Sequence, residues 1–165
     1  PASLTEFSLD EQLRQVILRL EPTWSARGIS WQLDLNSVTV VSDEELLSHV
    51  WMNIIQNAIK FSPENAVIEV RVFATDTATV EITDHGIGMA TVKRIFDRFY
   101  QADRSRKQEG VGLGLCLVKR ILDMLGGTVS VDSRPGEGST FRVHVPFRPK
   151  YDEAAHTDER EGKSP

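Results

Sequence analysis

Asp84 stands at the end of a hydrophobic segment and directly before a glycine turn, in the stretch D-H-G-I-G-M. Val80, Ile82 and Asp84 share parity, so in a β-strand the carboxylate continues the buried face. A buried carboxylate needs hydrogen-bond donors, and the exocyclic amine of a purine would supply one. Gly86 and Gly88 would let a planar ligand approach the backbone closely. Taken alone, the D-x-G-x-G pattern is a weak signal and favours a structural turn.

A second candidate is the run N-I-I-Q-N-A-I-K-F, which places Asn53 and Asn57 one helical turn apart, with Lys60 and Phe61 close behind. The predicted core face of this helix consists of Leu47, Val50, Ile54 and Ala58. Asn57 lies at the margin of that face, where an unpaired amide costs about 1–3 kcal/mol. Both amides could bind a loop or a neighbouring strand. Alternatively they form a polar ladder for phosphates and a divalent ion, since an amide oxygen suits Mg²⁺ and Lys60 carries a positive charge.

A third candidate is the glycine-rich segment G-V-G-L-G-L at 110–115, which opens a predicted helix. Free backbone N–H groups and a helix N-terminus together form an anion site. A polar loop rather than a strand precedes the segment, so it is not a dinucleotide fingerprint, and it lacks the Gly-Lys-Ser/Thr ending of a P-loop. A plain loop-to-helix junction is the alternative.

The residues before that segment are polar, charged and bounded by glycine, and 100–112 are predicted to form a mobile loop. Phe96 and Phe99 could anchor the beginning of the loop in the core. The loop also carries basic side chains that suit closure over phosphates: Arg104, Arg106 and Lys107. A solvated surface loop is the other interpretation.

Three long helices are predicted from apolar residues at helical spacing, over 8–27, 43–61 and 113–125. The first two begin with S-x-x-E capping boxes, at Ser8 and Ser42. The inward-facing residues of the third helix are Leu117, Val118, Ile121 and Leu125. Glycines follow its end, and a short helical turn is expected over 91–99.

Alternating apolar and polar residues predict about six strands in adjacent antiparallel pairs. The predicted pairs are 31–35 with 38–41, 66–74 with 78–84, and 128–133 with 140–147. Strands in hairpins combined with long helices indicate an α+β fold, with helices on one face of a mixed sheet. We expect one domain over 1–149 and a disordered tail over 150–165.

The composition of the 165 residues indicates a globular protein, with 40% hydrophobic and 26% charged residues. The net charge of -5 argues against a nucleic-acid partner. The single cysteine, Cys116, fits a reducing compartment. No apolar run is long enough to span a bilayer, and no signal-peptide pattern is present. Since the chain starts at Pro1 without a methionine, we expect a fragment of a longer protein.

In their order and spacing, these motifs closely resemble the catalytic, ATP-binding domain of bacterial two-component sensor histidine kinases. That family belongs to the GHKL superfamily of type II topoisomerases, mismatch-repair ATPases and chaperone ATPases. The resemblance covers about residues 4–148, and its five boxes are NIIQNAIKFS, DHGIGM, IFDRFY, GVGLGL and GEGSTF. It implies the Bergerat fold, a two-layer α/β sandwich in which three helices cover a mixed, mostly antiparallel sheet beside a flexible ATP lid at 100–110.

The resemblance also implies roles for individual residues. Asn57 would hold Mg²⁺, and Asn53 and Lys60 would lie near the phosphates. These three residues would be the catalytic ones. Phe61 would wall the base, and Asp84 would bind the adenine amino group. The other ATP-binding positions that it implies are Gly86, Ile87, Gly88, Met89, Arg106, Lys107, Gly110, Val111, Gly112, Leu113, Gly114, Leu115 and Thr140.

The implied reaction is transfer of the ATP γ-phosphate to a histidine on a separate dimerisation and phosphoacceptor domain, and from there to the receiver domain of a response regulator. None of the four histidines has the H-E-x-x-x-P-like context of an acceptor: His49, His85, His144 and His156. We interpret all four as structural or exposed. The chain is thus expected to be a monomeric catalytic domain, cut from its acceptor helices and belonging to the cytoplasmic part of a membrane sensor.

Three alternatives stay open at this stage. In hydrolytic relatives, a glutamate one turn before the metal-binding asparagine activates water, whereas Asn53 holds that position here. Because an amide cannot accept a proton, an ATP-hydrolysing conformational module is disfavoured. A serine kinase of the anti-sigma type shares much of the fold. A nucleotide-binding module without catalysis is the third alternative.

Overall fold

The computed structural model describes residues 3–86 and 111–149. In chain order the elements are β1 (Leu4–Ser8), α1 (Leu9–Arg19), α2 (Glu21–Ala26), β2 (Ser30–Leu35), β3 (Thr39–Asp43), α3 (Glu44–Phe61), β4 (Val67–Ala74), β5 (Ala78–Asp84), α4 (Val111–Leu125), β6 (Thr128–Arg134) and β7 (Gly138–Val145). The predicted turn at 91–99, the lid at 100–110 and the tail from 150 lie outside the described residues.

The main sheet has five strands in the order β2-β4-β5-β7-β6. Strands β2 and β4 are parallel, and the other neighbours are antiparallel, so the sheet is mixed and mostly antiparallel as predicted. Strands β1 and β3 form a separate antiparallel pair. The amide of Val41 in β3 donates a 2.8 Å hydrogen bond to the carbonyl of Phe147, which ties this pair to the chain beyond β7.

The predicted hairpin of 31–35 with 38–41 is wrong. Both segments are strands, but β2 pairs in parallel with β4 and β3 pairs with β1. Alternation identifies a strand and its buried face, yet it does not name the partner strand. A parallel pair needs a long crossover, and the chain from β3 through α3 provides it. Strand β1 was not predicted, because most of its residues are exposed and its pattern is weak.

The predicted helix over 8–27 is divided into α1 and α2 at Leu20, which has φ -91° and ψ 6°. Pro22 causes the break, because proline cannot donate the hydrogen bond that a continuous helix requires. The predicted cap at Ser8 is confirmed, since its side chain accepts from the amide of Glu11.

The cap of α3 is Asp43 rather than the predicted Ser42. The Oδ1 atom of Asp43 accepts a 2.9 Å hydrogen bond from the amide of Leu46, and Oδ2 accepts one of 2.8 Å from the amide of Ser3. Ser42 lies in strand β3, where it pairs with Thr5. The helix therefore begins one residue later than its S-x-x-E pattern indicates.

Helix α4 begins at Val111, before the predicted residue 113, and ends as predicted, with the amide of Gly127 bound to the carbonyl of Leu122 at 2.8 Å. The prediction that Leu117 faces inward is wrong, because its exposed fraction is 43%. The residues of α4 that are buried are Leu115, Val118, Ile121, Leu122 and Leu125. The side chain of Leu117 therefore lies outside the stripe that packs on the sheet.

Helix α3 lies at the centre of the core. All four of its predicted core residues are buried, and Trp51 is buried with them. The indole Nε1 of Trp51 donates to Oε1 of Gln12 at 2.7 Å, and Nε2 of Gln12 donates to the carbonyl of Glu44 at 2.7 Å. Helices α1 and α3 are thereby joined by a satisfied polar contact. Within the described ranges, no helix has the length and apolar character needed to cross a membrane.

Candidate nucleotide-binding site

Asp84 ends strand β5 with its carboxylate buried, at an exposed fraction of 5%. Oδ1 accepts a 2.9 Å hydrogen bond from the amide of Gly86, and the backbone of Ser139 also hydrogen-bonds to this carboxylate. Burial raises the pKa of Asp84 above its ordinary value of 3.8, and these backbone donors and nearby His85 offset only part of that rise. An ionised carboxylate offers about four acceptor positions, so Asp84 can accept from a further donor.

Gly86 packs against the carboxyl-terminal end of α3. A Cβ atom at this position would overlap the carbonyl group of Phe61 and come within 2.9 Å of Oδ1 of Asp84. The turn after β5 therefore reaches the end of α3 only because residue 86 has no side chain. Phe61 is half-buried against the core, and the Nζ atom of Lys60 lies 5.7 Å from the centre of its ring.

Asn53 of α3 faces the first turn of α4. An ideal Cβ on Gly114 would lie 2.9 Å from Oδ1 of Asn53. The Nδ2 atom of the same amide donates to the carbonyl of His49 at 2.7 Å, which turns the oxygen towards α4. The amide motif of α3 and the second glycine motif are thus brought together. Asn57 lies one turn further along α3, is half-buried, and makes no side-chain hydrogen bond within 3–86 and 111–149.

Gly138, the first residue of β7, borders the site on the side of Asp84 that faces β7. It has φ +106°, and a Cβ there would overlap the carbonyl of Asp84. The turn between β6 and β7 therefore lies directly against the end of β5, as the register pair of Asp84 with Ser139 requires. The last motif, GEGSTF, supplies this contact.

Ser139 was not among the residues predicted for the site. This residue is 6% exposed, hydrogen-bonds to the Asp84 carboxylate through its backbone, and holds its Oγ 2.8 Å from Oγ of Ser133. Its parity with the buried residues Phe141 and Val143 could have revealed that it shares the face of Asp84.

The structure does not bring Thr140 beside the Asp84 carboxylate. Its Oγ1 lies 3.0 Å from Oγ1 of Thr83, so the two hydroxyl groups share one face of the sheet. Because Thr83 and Asp84 are consecutive in β5, their side chains point to opposite faces. Leu115 is likewise buried in the core, where it supports α4.

The other predicted site residues divide into two groups. Val111, Gly112 and Leu113 form the first turn of α4. The predicted positions that lie outside the described residues are Ile87, Gly88, Met89, Arg106, Lys107 and Gly110. The basic Arg104 and the two predicted anchors Phe96 and Phe99 also lie there.

The described histidines have structural or exposed surroundings, as predicted. His49 is exposed, and Nε2 of His85 lies 3.5 Å from a carboxylate oxygen of Glu69. Nδ1 of His144 lies 3.2 Å from the hydroxyl of Thr77, in the turn before β5, and 3.1 Å from the hydroxyl of Thr79 in β5. His156 lies outside the described residues.

Comparison with known proteins agrees with the resemblance found in the sequence. The profile of the family described as histidine kinase-, DNA gyrase B-, and HSP90-like ATPase matches residues 42–149. Sensor protein CiaH of Streptococcus pneumoniae serotype 4 is 40% identical over 112 residues, which are 65% of this chain and 25% of that protein. Sensor-like histidine kinase SenX3 of Mycobacterium tuberculosis strain H37Rv is 34% identical over 164 residues, which are 96% of this chain and 39% of that protein.

Among solved structures, the crystal structure of full-length ShkA in complex with AMPPNP is similar with a TM-score of 0.79 and 29% sequence identity. The similarity covers 91% of this chain and 32% of that chain. The chain thus spans only 25% and 39% of the length of the two curated relatives described above. The chain belongs to the histidine kinase-, DNA gyrase B- and HSP90-like ATPase family.

Proposed function

We propose that this domain binds ATP with Mg²⁺ and is the catalytic domain of a sensor histidine kinase. One observation carries the proposal: segments far apart in sequence meet along the carboxyl-terminal half of α3. Gly86, whose amide is bound to Asp84, lies against the carbonyl of Phe61 at the end of the helix, and Gly114 lies against Asn53 two turns earlier. The binding of AMPPNP by ShkA supports a nucleotide as the ligand.

At the adenine end, Asp84 would accept a hydrogen bond from the exocyclic amino group. The fit is chemical, because the carboxylate is buried, is aimed by the amides of Gly86 and Ser139, and has acceptor positions left over. Gly86 would hold the turn after β5 against the end of α3, beside the base, and Phe61 would provide an apolar wall. We further assign the predicted positions Ile87, Gly88 and Met89 to this end of the site.

At the phosphate end, Asn57 is the residue that would hold Mg²⁺ through its amide oxygen. A bound Mg²⁺ would offset phosphate charge, and Lys60 would add a compact positive charge. The beginning of α4 would present backbone N–H groups to phosphate oxygens. Arg106, Lys107, Gly110 and Gly112 keep their proposed roles as phosphate contacts.

Asn53 favours phosphoryl transfer over hydrolysis. Its amide cannot take a proton from water, and its Nδ2 is already engaged by the carbonyl of His49. The protein groups would therefore hold the nucleotide in place without activating water. Positioning and charge stabilisation are the main contributions that phosphoryl transfer requires of a protein.

The acceptor would be a histidine on a separate dimerisation and phosphoacceptor domain. A bond forms between an imidazole nitrogen and the γ-phosphorus, the bond from that phosphorus to the β,γ-bridging oxygen breaks, and the imidazole proton leaves. The products are ADP and phosphohistidine, and the phosphoryl group would pass on to a response regulator. The same family relationship leads us to propose a cytoplasmic location, as part of a membrane sensor.

A transfer assay tests this function. The domain is mixed with γ-labelled ATP, Mg²⁺ and a separately produced dimerisation domain of a related kinase. We expect label on the histidine of that domain, lost in acid because phosphohistidine is acid-labile. Acid-stable label would favour a serine kinase, and rapid phosphate release without transfer would favour a hydrolytic module. Absence of any adenine-nucleotide binding by calorimetry would refute the proposal.

A further inference from the structure

Arg27 joins the turn after α2 to the end of α3. Its guanidinium Nη2 donates a hydrogen bond to the carbonyl of Ser62, the residue that caps α3. Arg27 precedes the region 42–149 that matches the family profile. This contact therefore connects the amino-terminal part of the chain to the helix that carries the two amides and Phe61.

The backbone of the turn after α2 also binds the loop that follows α3. The carbonyl of Arg27 accepts a 2.9 Å hydrogen bond from the amide of Asn65. Gly28 and Asn65 have φ +67° and +62°, and the Asn65 side chain occupies the space where a Cβ of Gly28 would lie. The two turns thus interlock, and the guanidinium reaches its acceptor from a fixed position.

The carbonyl that Arg27 binds is close to the adenine end of the site. Ser62 is 2% exposed and donates from Oγ to the carbonyl of Ala58 at 2.6 Å. The preceding residue is Phe61, whose carbonyl lies against Gly86. The amide of Gly86 in turn donates to Asp84. A continuous series of contacts therefore runs from the guanidinium to the carboxylate proposed to bind adenine.

We propose that Arg27 is a positioning residue that sets the end of α3 and thereby aims Asp84 at the adenine amino group. This inference rests on the proposed function. Stability alone explains the residue poorly, because its Nε is buried without an acceptor among the described residues, and burial of an unpaired donor opposes folding. The positive charge acts on the helix end, where a cation also complements the helix dipole.

The test compares affinities for ATP and for inosine triphosphate, which has a carbonyl oxygen in place of the amino group. The parent domain should prefer ATP because Asp84 accepts from the amine. Arg27→Ala should reduce the ratio of the two affinities by about tenfold. This is the loss expected when Asp84 no longer accepts one well-aligned hydrogen bond from the amine. Arg27→Lys keeps a cationic donor and should restore part of the preference. Arg14→Ala, on an exposed arginine paired with Glu11, should leave it unchanged.

The outcomes separate this inference from the function on which it rests. If the parent domain binds neither nucleotide, the proposed function fails. If the parent binds both equally, the contact of Asp84 with adenine is absent and the inference fails with it. If the parent prefers ATP and Arg27→Ala retains the full preference, only the inference is overturned. If Arg27→Ala does not fold, Arg27→Gln, which keeps most of the aliphatic stem, is measured by the same ratio.

Discussion

The amide of Gly86 donates a 2.9 Å hydrogen bond to Oδ1 of Asp84, two residues earlier in the chain. This bond fixes one carboxylate oxygen, and the proposed role of the other is to accept from adenine. Asp84→Asn should weaken ATP binding by roughly 10- to 100-fold, since a hydrogen bond to a charged group contributes about 1.5–3 kcal/mol. Calorimetric titration measures the loss. Asp123→Asn, on an exposed carboxylate paired with Lys119, is the control and should bind as the parent does. Equal affinity in the two variants would remove Asp84 from the site.

The same substitution should stabilise the domain in the absence of nucleotide. Burial raises the pKa of Asp84 above 3.8, so the folded state binds this proton more tightly than the unfolded state does. The ionised carboxylate therefore opposes folding near pH 7, and this penalty disappears as pH falls through the raised pKa. Asp84→Asn should melt a few degrees higher than the parent near neutral pH, because the amide carries no charge to desolvate. Thermal unfolding across pH 4 to 8 should show the gap closing towards acid, and a constant gap would contradict the assignment.

Two glycine substitutions should have different effects because their neighbours differ. A Cβ on Gly86 meets the backbone of Phe61, which cannot yield without moving α3, so Gly86→Ala should lose about 1–3 kcal/mol of stability. A Cβ on Gly114 meets the end of the Asn53 side chain, which can rotate. Alanine in a helix also gains up to about 1 kcal/mol over glycine, so Gly114→Ala should be near neutral. Urea unfolding of both variants checks the contrast, and equal losses would mean that α3 and α4 do not pack as described.

The cap of α3 offers a test of the structure against its sequence pattern. Asp43→Ala should lower the free energy of unfolding by about 0.5–2 kcal/mol, because it removes the acceptor for the amide of Leu46. It also removes the acceptor for the amide of Ser3. Ser42→Ala should have a smaller effect, since the acceptor for the helix amide is the side chain of Asp43 and not that of Ser42. If denaturant titration shows a larger loss of unfolding free energy for Ser42→Ala than for Asp43→Ala, Ser42 is the cap.

Local patterns predicted most elements but not their long-range pairing. The hairpin of β4 and β5 was predicted because both strands alternate clearly around a short turn. The partner of β2 was not, because the parallel pair with β4 depends on how α3 packs after the chain has left β2. The division of the first helix at Leu20 could have been predicted from Pro22, because proline interrupts a helix. The continuous helix was predicted because the apolar residues on both sides of Pro22 keep helical spacing.

The candidate site was predicted unevenly for the same reason. The burial of Asp84 followed from parity along one strand, and this needed no knowledge of the fold. Parity along β7 could likewise have placed Ser139 on the buried face, but its position directly opposite Asp84 depends on the register of β5 with β7, which the sequence does not give. The hydrogen bond of Arg27 with Ser62 joins residues 35 positions apart, and no local sequence pattern predicts it.

The parallel pairing of β2 with β4 also bears on where this protein can be cut. The profile-matched region begins at 42, after β1, α1 and β2 have been completed. A fragment that begins at residue 42 would lack β2, so β4 would become an unpaired edge strand. It would also lack Gln12, the hydrogen-bond acceptor of the buried indole of Trp51. Exposed edges of this kind recruit other chains into aggregates. Expression boundaries for this domain should therefore keep every residue from Ser3 onward, although the recognisable motifs all lie later.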